Sequence, residues 1–380
     1  MEKRICPICG SDQESRIEKI RLMIPEEYHL PETYHIVSCD SCGFCFADTE
    51  AELEDYNYYY THCNSYSGMP VGSEEWKWLN ETVERLIAPY VKTGSRLVDM
   101  GFGKGIFLRW LREKGYHNIM GVDPTKESVE AVKKEGMDVA VGSIFDEADD
   151  RYRESADCVF LFDVLEHLLY PADALCSLQS YLRRGGCLVI SVPNYAYLKE
   201  NTKPIVNMFN QEHINYFSKT SLDNLLRRCG FSILDGNDTG KAEEIVAIYQ
   251  FTGVRNEQII RDTYCRTSIQ EYVDRFADRK RSIEQALAGL WKKGITEVYV
   301  WGTGAFTMWL LANTTLSDLE LHFIDNNATK IGTSIGNSEI VAPESIGNPE
   351  CPILICSMLY GNQIHQQIRQ MGLKNDVVIL

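Results

Sequence analysis

The stretch from residue 96 to 108 constrains the fold of this chain most strongly. It reads as a short apolar strand, a turn with Gly101, Gly103 and Gly105, and a helix. Glycine at alternate positions removes every Cβ from one edge of the turn, so the backbone can lie against a ligand and the helix can start close to the strand. A second apolar strand ends at Asp123, where a carboxylate can accept both hydroxyls of a ribose. Together these features predict a nucleotide-binding turn.

Strands and helices alternate from residue 96 to 251, which predicts an α/β fold with a doubly wound sheet. The seven predicted strands span residues 96–100, 119–122, 139–141, 157–162, 186–192, 232–234 and 244–251, the last two forming an antiparallel hairpin. Ligands bind beyond the carboxyl ends of the strands in such sheets. The fourth strand ends in a turn that contains Glu166 and His167, for which we favour a structural role over a chemical one.

An acid at Asp99, two residues before the first glycine, makes the turn resemble that of the class I S-adenosylmethionine-dependent methyltransferases more than that of NAD enzymes. The resemblance implies a Rossmann-like seven-stranded core with S-adenosylmethionine as cofactor. The implied cofactor-binding residues are Asp99, Gly101, Phe102, Gly103, Gly105, Asp123, Pro124, Ser143, Ile144, Phe162 and Asp163. The alternative is a fold that keeps the turn and binds nothing.

Two C-x-x-C-G turns predict a zinc site near the N-terminus. They contain Cys6 and Cys9, and Cys39 and Cys42. Each turn places two thiolates on one side of the backbone, and four protein ligands leave no position open for catalysis, so the zinc would be structural. A redox pair and chance are the alternatives. Cys45 extends the second turn and could replace a ligand, but we treat it as a spare.

The charge of the chain bounds its partners. Its 380 residues include 38 Lys and Arg against 54 Asp and Glu, a net charge of −16, without a basic run that would attract a phosphate backbone. We therefore expect a small-molecule substrate and no nucleic-acid partner. The sequence shows neither a basic head followed by an apolar core nor an apolar run of 18 residues. We expect a cytoplasmic protein without a membrane span, and the sequence leaves its oligomeric state open.

A 23-residue loop from Tyr195 to Phe217 follows the fifth strand and carries Glu212 and His213. Ser218 is predicted to cap the next helix. A histidine held just before a capped helix, at the mouth of a cofactor site, can take a proton from a nucleophile. The alternative is a histidine that staples the loop.

A tyrosine-rich segment lies between the cysteines and the glycine turn. Dense tyrosines usually cover an interface, and the sharper hypothesis brings Tyr60 or Tyr66 over the cofactor pocket. The next segment, residues 75–93, keeps apolar residues at helical spacing and is predicted to pack against the sheet.

The C-terminal part repeats the pattern of strand, glycine turn, helix and strand. Its turn contains Gly302 and Gly304, and its second strand ends at Asp325. This Rossmann-like part either binds a ribose or phosphate or is a decayed duplicate kept for packing.

These patterns predict four parts. They are a zinc module with an aromatic linker (1–72), a cofactor-binding domain (73–252), a helical linker with a helix over 256–291 (253–294), and a C-terminal Rossmann-like domain (295–380).

This order of parts, with the motif that runs from Glu212 to Ser218, resembles the zinc-containing sugar C-methyltransferases of nucleotide-linked deoxysugars. The resemblance implies that His213 removes a proton from a carbon beside a keto group. The implied catalytic residues are His213, Glu212 and Tyr216, and the implied substrate-binding residues are Tyr60, Tyr66, Asn194, Asn210 and Gln211.

The chain departs from the Tyr-His-Glu-His pattern of that family at Asn210 and Gln211. A phenol suited to an enolate oxygen is therefore missing at this position. An O- or N-methyltransferase of a sugar or another small metabolite needs only a base and stays an alternative. An RNA methyltransferase and a catalytically silent scaffold that binds S-adenosylmethionine are further alternatives.

Overall fold

A computed structural model describes residues 4–63, 73–198, 201, 203–237, 243–358 and 360–380. Contacts divide the chain into two compact units. The first comprises Met1–Glu18, Glu26–Glu200 and Gln211–Gln270, and the second comprises Lys19–Pro25, Asn201–Asn210 and Glu271–Leu380. The predicted division into four parts stays a prediction.

Eleven described strands precede residue 252. They are β1 (Glu14–Arg21), β2 (Thr33–Cys39), β3 (Cys45–Asp48), β4 (Leu97–Met100), β5 (Ile119–Asp123), β6 (Asp138–Val141), β7 (Ala156–Phe162), β8 (Leu182–Pro193), β9 (Asn215–Tyr216), β10 (Phe231–Gly236) and β11 (Glu244–Phe251). Seven of them form one sheet in the order β10-β11-β8-β7-β4-β5-β6. The five strands from β8 to β6 run parallel, whereas β11 is antiparallel to both β8 and β10. The predicted seven-stranded α/β sheet and its closing hairpin are confirmed.

The helices of the chain lie between these strands and beyond them. They are α1 (Leu53–His62), α2 (Glu74–Ile87), α3 (Ile106–Glu113), α4 (Lys126–Lys133), α5 (Pro171–Leu178), α6 (Ile205–Met208), α7 (Lys219–Arg228), α8 (Cys265–Lys292), α9 (Ala305–Asn313) and α10 (Gly361–Gln370). The Ser73 hydroxyl accepts a hydrogen bond from the Trp76 amide and caps α2. The apolar face of α2 is buried in one core cluster with Phe160 and Val189 of the sheet, as the helical spacing predicts. No helix in the described ranges is both long enough and apolar enough to cross a membrane.

The second unit has its own sheet. Its strands are β12 (Glu297–Trp301), β13 (Glu320–Ile324), β14 (Ser334–Ile335), β15 (Ser338–Val341), β16 (Ile353–Ile355) and β17 (Val377–Ile379), in the order β14-β15-β13-β12-β16-β17. All neighbours are parallel except β14 and β15. A parallel sheet with helices in its crossovers is the Rossmann-like arrangement expected for this part of the chain.

The start of α8 corrects the predicted linker helix. The helix begins at Cys265 and not at Asn256. The Asn224 side chain donates to the carbonyl of Ile260 at 2.7 Å and accepts from its amide at 3.0 Å. The amide of Asp262 donates to the carbonyl of Cys42 at 2.8 Å. These bonds occupy backbone groups that a helix would need, so the chain stays extended despite its apolar spacing.

The predicted 23-residue loop contains a strand that the sequence did not indicate. Strand β9 pairs with β3, so that Tyr216 lies opposite Cys45 and Asn215 lies opposite Phe46. It thereby completes a second sheet in the order β1-β2-β3-β9. Directly after β9, the Ser218 hydroxyl accepts from the Ser221 amide and caps α7, as predicted. The chain directly after His213 is therefore fixed, first by β9 and then by the helix cap.

Asn215 ties this segment to the turn after β7. Its side chain is fully buried, and its Nδ2 donates to the carbonyls of Leu165 and Leu168 at 3.1 and 2.7 Å. Its Oδ1 accepts from the Arg4 guanidinium at 2.9 Å. The same guanidinium donates to the carbonyl of Ile214 at 2.9 Å. One amide side chain thus joins the N-terminus, β9 and the β7 turn.

We expect Asn215→Ala to lower the free energy of unfolding by about 2–4 kcal/mol, because it leaves buried carbonyls and a guanidinium N–H unpaired. Urea unfolding followed by circular dichroism measures the change. The exposed Asn256→Ala is the matched control and should stay within about 0.5 kcal/mol of the parent. Equal losses for both variants would contradict the role of Asn215.

Candidate functional site: the carboxyl edge of the seven-stranded sheet

The glycine turn after β4 is shaped by backbone geometry that favours glycine. Gly101, Gly103 and Gly105 have φ angles of 79°, 54° and 70°. A Cβ on Gly101 would lie 2.7 Å from the Val164 side chain, and one on Gly105 would lie 2.7 Å from that of Val132. The turn is therefore packed tightly against its neighbours while its other edge carries no side chains.

Two buried acids, Asp99 and Asp123, lie next to the glycine turn. Oδ2 of Asp123 accepts from the Gly103 amide at 2.8 Å, and Oδ1 accepts from the Thr125 amide at 2.8 Å. A carboxylate oxygen has two lone pairs, so both oxygens of Asp123 keep capacity for ribose hydroxyls. Asp99 is buried, and within the described residues its Oδ2 has no hydrogen-bond partner.

The electrostatics of these acids suit a cationic ligand. Burial, and then the negative charge of Asp123, raises the pKa of Asp99 to about 8. Burial also raises the pKa of Asp123. A buried carboxyl with an unpartnered oxygen is stabilised by an ammonium group. S-adenosylmethionine carries such a group together with a ribose, so the residues present fit this cofactor.

Other predicted cofactor contacts surround this turn. The amide of Gly142 donates to the carbonyl of Asp123 at 3.1 Å, which holds the following Ser143 and the buried Ile144 beside the end of β5. Phe102 is buried in a cluster beneath the turn. The ring of Phe162 packs edge-to-face on Phe107, with centroids 4.8 Å apart. Pro124 is exposed next to Asp123. Their contacts with cofactor stay predictions.

The turn after β7 adjoins the glycine turn at the point where strand order reverses. Val164, whose side chain touches Gly101, belongs to this turn. Asp163 precedes it with a φ of 52° and accepts from the Ser191 hydroxyl at 3.1 Å. Glu166 is 1% exposed, and its Oε2 has no hydrogen-bond partner within the described residues. Ligands of doubly wound sheets bind at this crevice.

Two histidines meet beyond that turn. The rings of His167 and His213 are edge-to-face with centroids 4.9 Å apart. Nδ1 of His167 lies 3.1 Å from the carbonyl oxygen of Glu212, and Nδ1 of His213 lies 3.1 Å from the Tyr195 hydroxyl. Burial lowers the pKa of His167, which favours its neutral form. The structure therefore brings His167, which the sequence favoured only as a structural residue, against the predicted base.

Tyr195 is the site residue that sequence reasoning missed. It is fully buried, and its amide donates to the carbonyl of Phe217 at 2.8 Å. Its position two residues after the end of β8 places it at the carboxyl edge of the sheet. This position in the sequence could have indicated Tyr195 as a site residue. Nothing in the sequence indicates its contact with His213.

The aromatic segment contributes two tyrosines from α1. The hydroxyl of Tyr59 donates to Oε1 of Glu212 at 2.6 Å, so this carboxylate is bound by a phenol. The Tyr60 hydroxyl is buried, and within the described ranges it has no partner. Its ring lies edge-on to His167 at 6.0 Å. Tyr66 lies outside the described residues.

The remaining predicted site residues are buried or half-buried, and one of them accepts a hydrogen bond from a backbone amide. Tyr216 is fully buried behind Tyr195, with ring centroids 4.8 Å apart, and its hydroxyl interacts with Tyr34. Oδ1 of Asn194 accepts from the Ala196 amide at 3.2 Å. Gln211 is buried. Asn210 is half-buried and belongs to the second unit.

The four predicted zinc ligands come together. The sulfur atoms of Cys6 and Cys42 lie 3.6 Å apart, and those of Cys9 and Cys39 lie 3.5 Å apart. All four lie within 4.8 Å of one another. Tetrahedral zinc with bonds of about 2.3 Å separates its sulfur ligands by about 3.8 Å, so the cluster fits zinc. Cys45 instead lies against the thiol of Cys265, outside the cluster.

Comparison with known proteins finds a family match for the middle part of the chain. The family described as a methyltransferase domain matches residues 75–235. The tRNA U34 carboxymethyltransferase of Ectopseudomonas mendocina is 26% identical over 219 residues, covering 55% of this chain and 62% of the relative. That of Alcanivorax borkumensis is 29% identical over 180 residues, covering 43% and 53%. The chain therefore spans between half and two thirds of the length of these relatives.

A solved S-adenosylmethionine-dependent methyltransferase from Mesorhizobium loti is 16% identical and covers 47% of this chain and 98% of that one, with a TM-score of 0.37. Residues 75–235 match the methyltransferase family, and strands β4 to β8 and most of β10 of the seven-stranded sheet lie within them. This part of the chain is therefore similar to methyltransferase domains, and its sheet has the Rossmann-like α/β arrangement. The names of the two relatives refer to tRNA modification and not to the sugar substrate that the sequence resemblance implied.

The cysteine cluster predicts one zinc ion per chain. We expect Cys39→Ser to lose this zinc and to lower thermal stability, because metal binding to such a cluster contributes to folding. Cys45→Ser is the matched control and should keep the full equivalent. Release by a mercurial in the presence of a colorimetric zinc chelator measures the stoichiometry. Retention of zinc by Cys39→Ser together with its loss from Cys45→Ser would contradict the assignment.

The pKa of Asp99 predicts how pH affects cofactor affinity. In the free protein this pKa is about 8, and a bound cation lowers it, so only the carboxylate binds tightly. Affinity should fall by up to about tenfold for each pH unit below that value, and binding there should release a proton.

Calorimetry with S-adenosylmethionine, in buffers of different ionisation enthalpy, measures both effects. Asp99→Asn should bind more weakly and lose the part of the pH dependence and proton release that comes from this carboxyl. If Asp99→Asn shows the same pH dependence and proton release as the parent, the carboxyl does not contact the ammonium group.

Proposed function

We propose that this protein is an S-adenosylmethionine-dependent methyltransferase that acts on a nucleotide-linked keto sugar, with His213 as the base. The observation that carries the proposal is the continuity of the site. The glycine turn touches Val164, the turn that contains Val164 also carries His167, and the ring of His167 meets that of His213.

The surroundings of His213 support its role as a base. Tyr195 lies at hydrogen-bond distance from Nδ1 and orients the ring. In the proposed role Nδ1–H donates to the Tyr195 hydroxyl, so that the lone pair of Nε2 can accept a proton. His167 beside it is kept neutral by burial. A neutral neighbour does not oppose protonation of His213 as a second imidazolium would.

In the proposed reaction, Nε2 of His213 takes a proton from the sugar carbon beside the keto group. The electron pair of the broken C–H bond then forms an enolate, and its carbon is the methyl acceptor. S-adenosylmethionine, when bound by Asp99, Asp123 and the glycine turn, supplies an electrophilic methyl group.

Tyr60 is the proposed donor to the developing enolate oxygen. Its hydroxyl is buried and unpartnered within the described residues, and burial raises its pKa well above the usual value. It therefore stays protonated and can donate a hydrogen bond. We propose a supporting role for Tyr216, because its hydroxyl interacts with Tyr34 within the core, and a role for Glu212 in holding α1 through Tyr59.

We propose that the second unit, taken by itself, also binds a nucleotide at the edge of its own sheet. Asp325 directly follows β13. Its carboxylate accepts from the Thr303 amide at 2.9 Å and the Thr303 hydroxyl at 2.6 Å, just as Asp123 accepts from the Gly103 amide. A Cβ on Gly302 would lie 3.2 Å from the carbonyl oxygen of Cys356, so the turns after β12 and β16 adjoin at the switch point. Lys330 lies 3.4 Å from Asp325 and adds a positive charge suited to phosphate.

A tRNA substrate is the second candidate, and the names of the relatives favour it. The net charge of −16 opposes it, because the backbone of a tRNA must be matched by basic residues. An O- or N-methyltransferase of a small metabolite would use the same base without needing an enolate. These candidates differ in what they predict for hydrogen exchange at carbon.

The test of the proposal is deuterium uptake by keto-deoxysugar nucleotides in D₂O without S-adenosylmethionine, followed by mass spectrometry. Exchange beside the keto group is expected with the parent protein. It should fall about 10²–10⁴-fold in His213→Gln and about 10²-fold in Tyr60→Phe. The exposed His117→Gln is the matched control and should exchange as the parent does.

Methyl transfer from labelled S-adenosylmethionine then separates the candidates. Label is expected on the sugar nucleotide, at carbon, and not on total tRNA. Label on the sugar without prior exchange would indicate O- or N-methylation, and label on tRNA would replace the sugar hypothesis. Cofactor binding without any transfer would indicate a silent scaffold.

A further inference from the structure

Glu166, His167 and His213 form a cluster that the proposed reaction uses only in part. One ligand atom from each lies within 4.8 Å of the other two. Nε2 of His167 is 3.6 Å from Oε1 of Glu166, and Glu166 is 1% exposed with an unpartnered Oε2. Two imidazoles and one carboxylate, converging with positions left open, are a donor set typical of divalent transition metals.

The hydrogen bonds outside the cluster also match a metal site. Metal-binding histidines typically donate their other ring N–H to a carbonyl, carboxylate or water, and this contact fixes which nitrogen faces the metal. Nδ1 of His167 is held by the carbonyl of Glu212 at 3.1 Å, and Nδ1 of His213 is held by Tyr195 at 3.1 Å. With Nδ1 of each ring in these contacts, we assign Nε2 of each ring as the ligand atom.

The charge balance of the cluster favours a cation. Asp163 and Glu166 are two acids on one buried turn, and within the described residues the one ion pair recorded for Glu166 is with the imidazole of His167. A buried carboxylate without a full counter-charge is costly. A divalent ion bound by the cluster would supply that charge.

We propose that Glu166, His167 and His213 bind one divalent transition-metal ion, such as Zn²⁺ or Co²⁺, at a site distinct from the four-cysteine cluster. The ion binds Nε2 of His213, the atom that accepts the proton in the proposed reaction. Metal binding and proton removal therefore exclude each other, so the ion inhibits methyl transfer. The inhibitory part rests on the proposed function, whereas the metal site does not.

The metal site is tested with full-length protein whose cysteine cluster is filled with zinc and from which excess metal has been removed. Titration with Co²⁺ is followed by visible absorption and calorimetry. One added equivalent is expected, with weak d–d bands and without thiolate charge-transfer absorption. Glu166→Gln and His167→Asn should each weaken binding by at least about 10–100-fold, because loss of a ligand costs no less than loss of a ligand's outer hydrogen-bond partner, for which this range is typical. The exposed His117→Asn should bind as the parent does.

Absence of the added equivalent in the parent protein, or unchanged binding in both ligand variants, would overturn the site. Retained S-adenosylmethionine binding shows that a variant is folded. If substitutions in the buried turn unfold the protein, His213→Gln removes a ligand from a separate, half-buried segment and gives the same reading.

The inhibitory part is tested by adding Zn²⁺ to the exchange assay described above. An equivalent of Zn²⁺ beyond the cysteine cluster should reduce exchange at least tenfold, and a chelator weaker than the cysteine cluster should restore it. If Co²⁺ binds but Zn²⁺ does not affect exchange, the proposed metal site stands and the proposed inhibition is refuted. If the parent protein catalyses no exchange, the proposed function fails while the cobalt titration still decides the metal site.

Discussion

The pairing of β3 with β9 is the constraint on which the candidate site depends. Cys42 is a predicted zinc ligand, and β3 begins three residues later with Cys45, which pairs with Tyr216. The neighbouring Asn215 then bonds to the turn after β7. The cysteine cluster, far from His213 in sequence, thus adjoins the strand that fixes the segment carrying this residue. The N-terminal module is therefore part of the framework of the site, because a short two-residue strand cannot hold its register alone.

The two units share one structural feature, a hydrogen bond between an acid and the turn after the first strand. In each, the acid at the end of the second strand bonds to an amide in the turn after the first, Asp123 to Gly103 at 2.8 Å and Asp325 to Thr303 at 2.9 Å. This bond fixes the distance between the turn and the acid, so a ligand meets a preformed site. The two turns differ in charge. Among the contacts of the described residues, Asp325 has a lysine beside it, Lys330, whereas Asp123 has none.

The sequence predicts the parts of this fold that local patterns encode. The seven strands, the glycine turn and the Ser218 cap depend on neighbours within a few residues, and each occurs as predicted. Strand β9 and the late start of α8 depend on partners far away in the chain, on β3 and on the Asn224 side chain. The same limit applies to the site. The sequence identifies His213, but its contacts with Tyr195 and His167 require the fold.

The Asn210 substitution shows why one motif position is a poor guide to chemistry. A phenol missing from that position does not leave the site without phenols, because Tyr195 comes from the end of β8 and Tyr60 from α1. Tyr195 is bound to the base and orients it, whereas the Tyr60 hydroxyl has no partner within the described residues. A buried donor without a partner is unfavourable unless a ligand satisfies it. The proposed hydrogen bond to the enolate oxygen therefore comes from Tyr60 and not from residue 210.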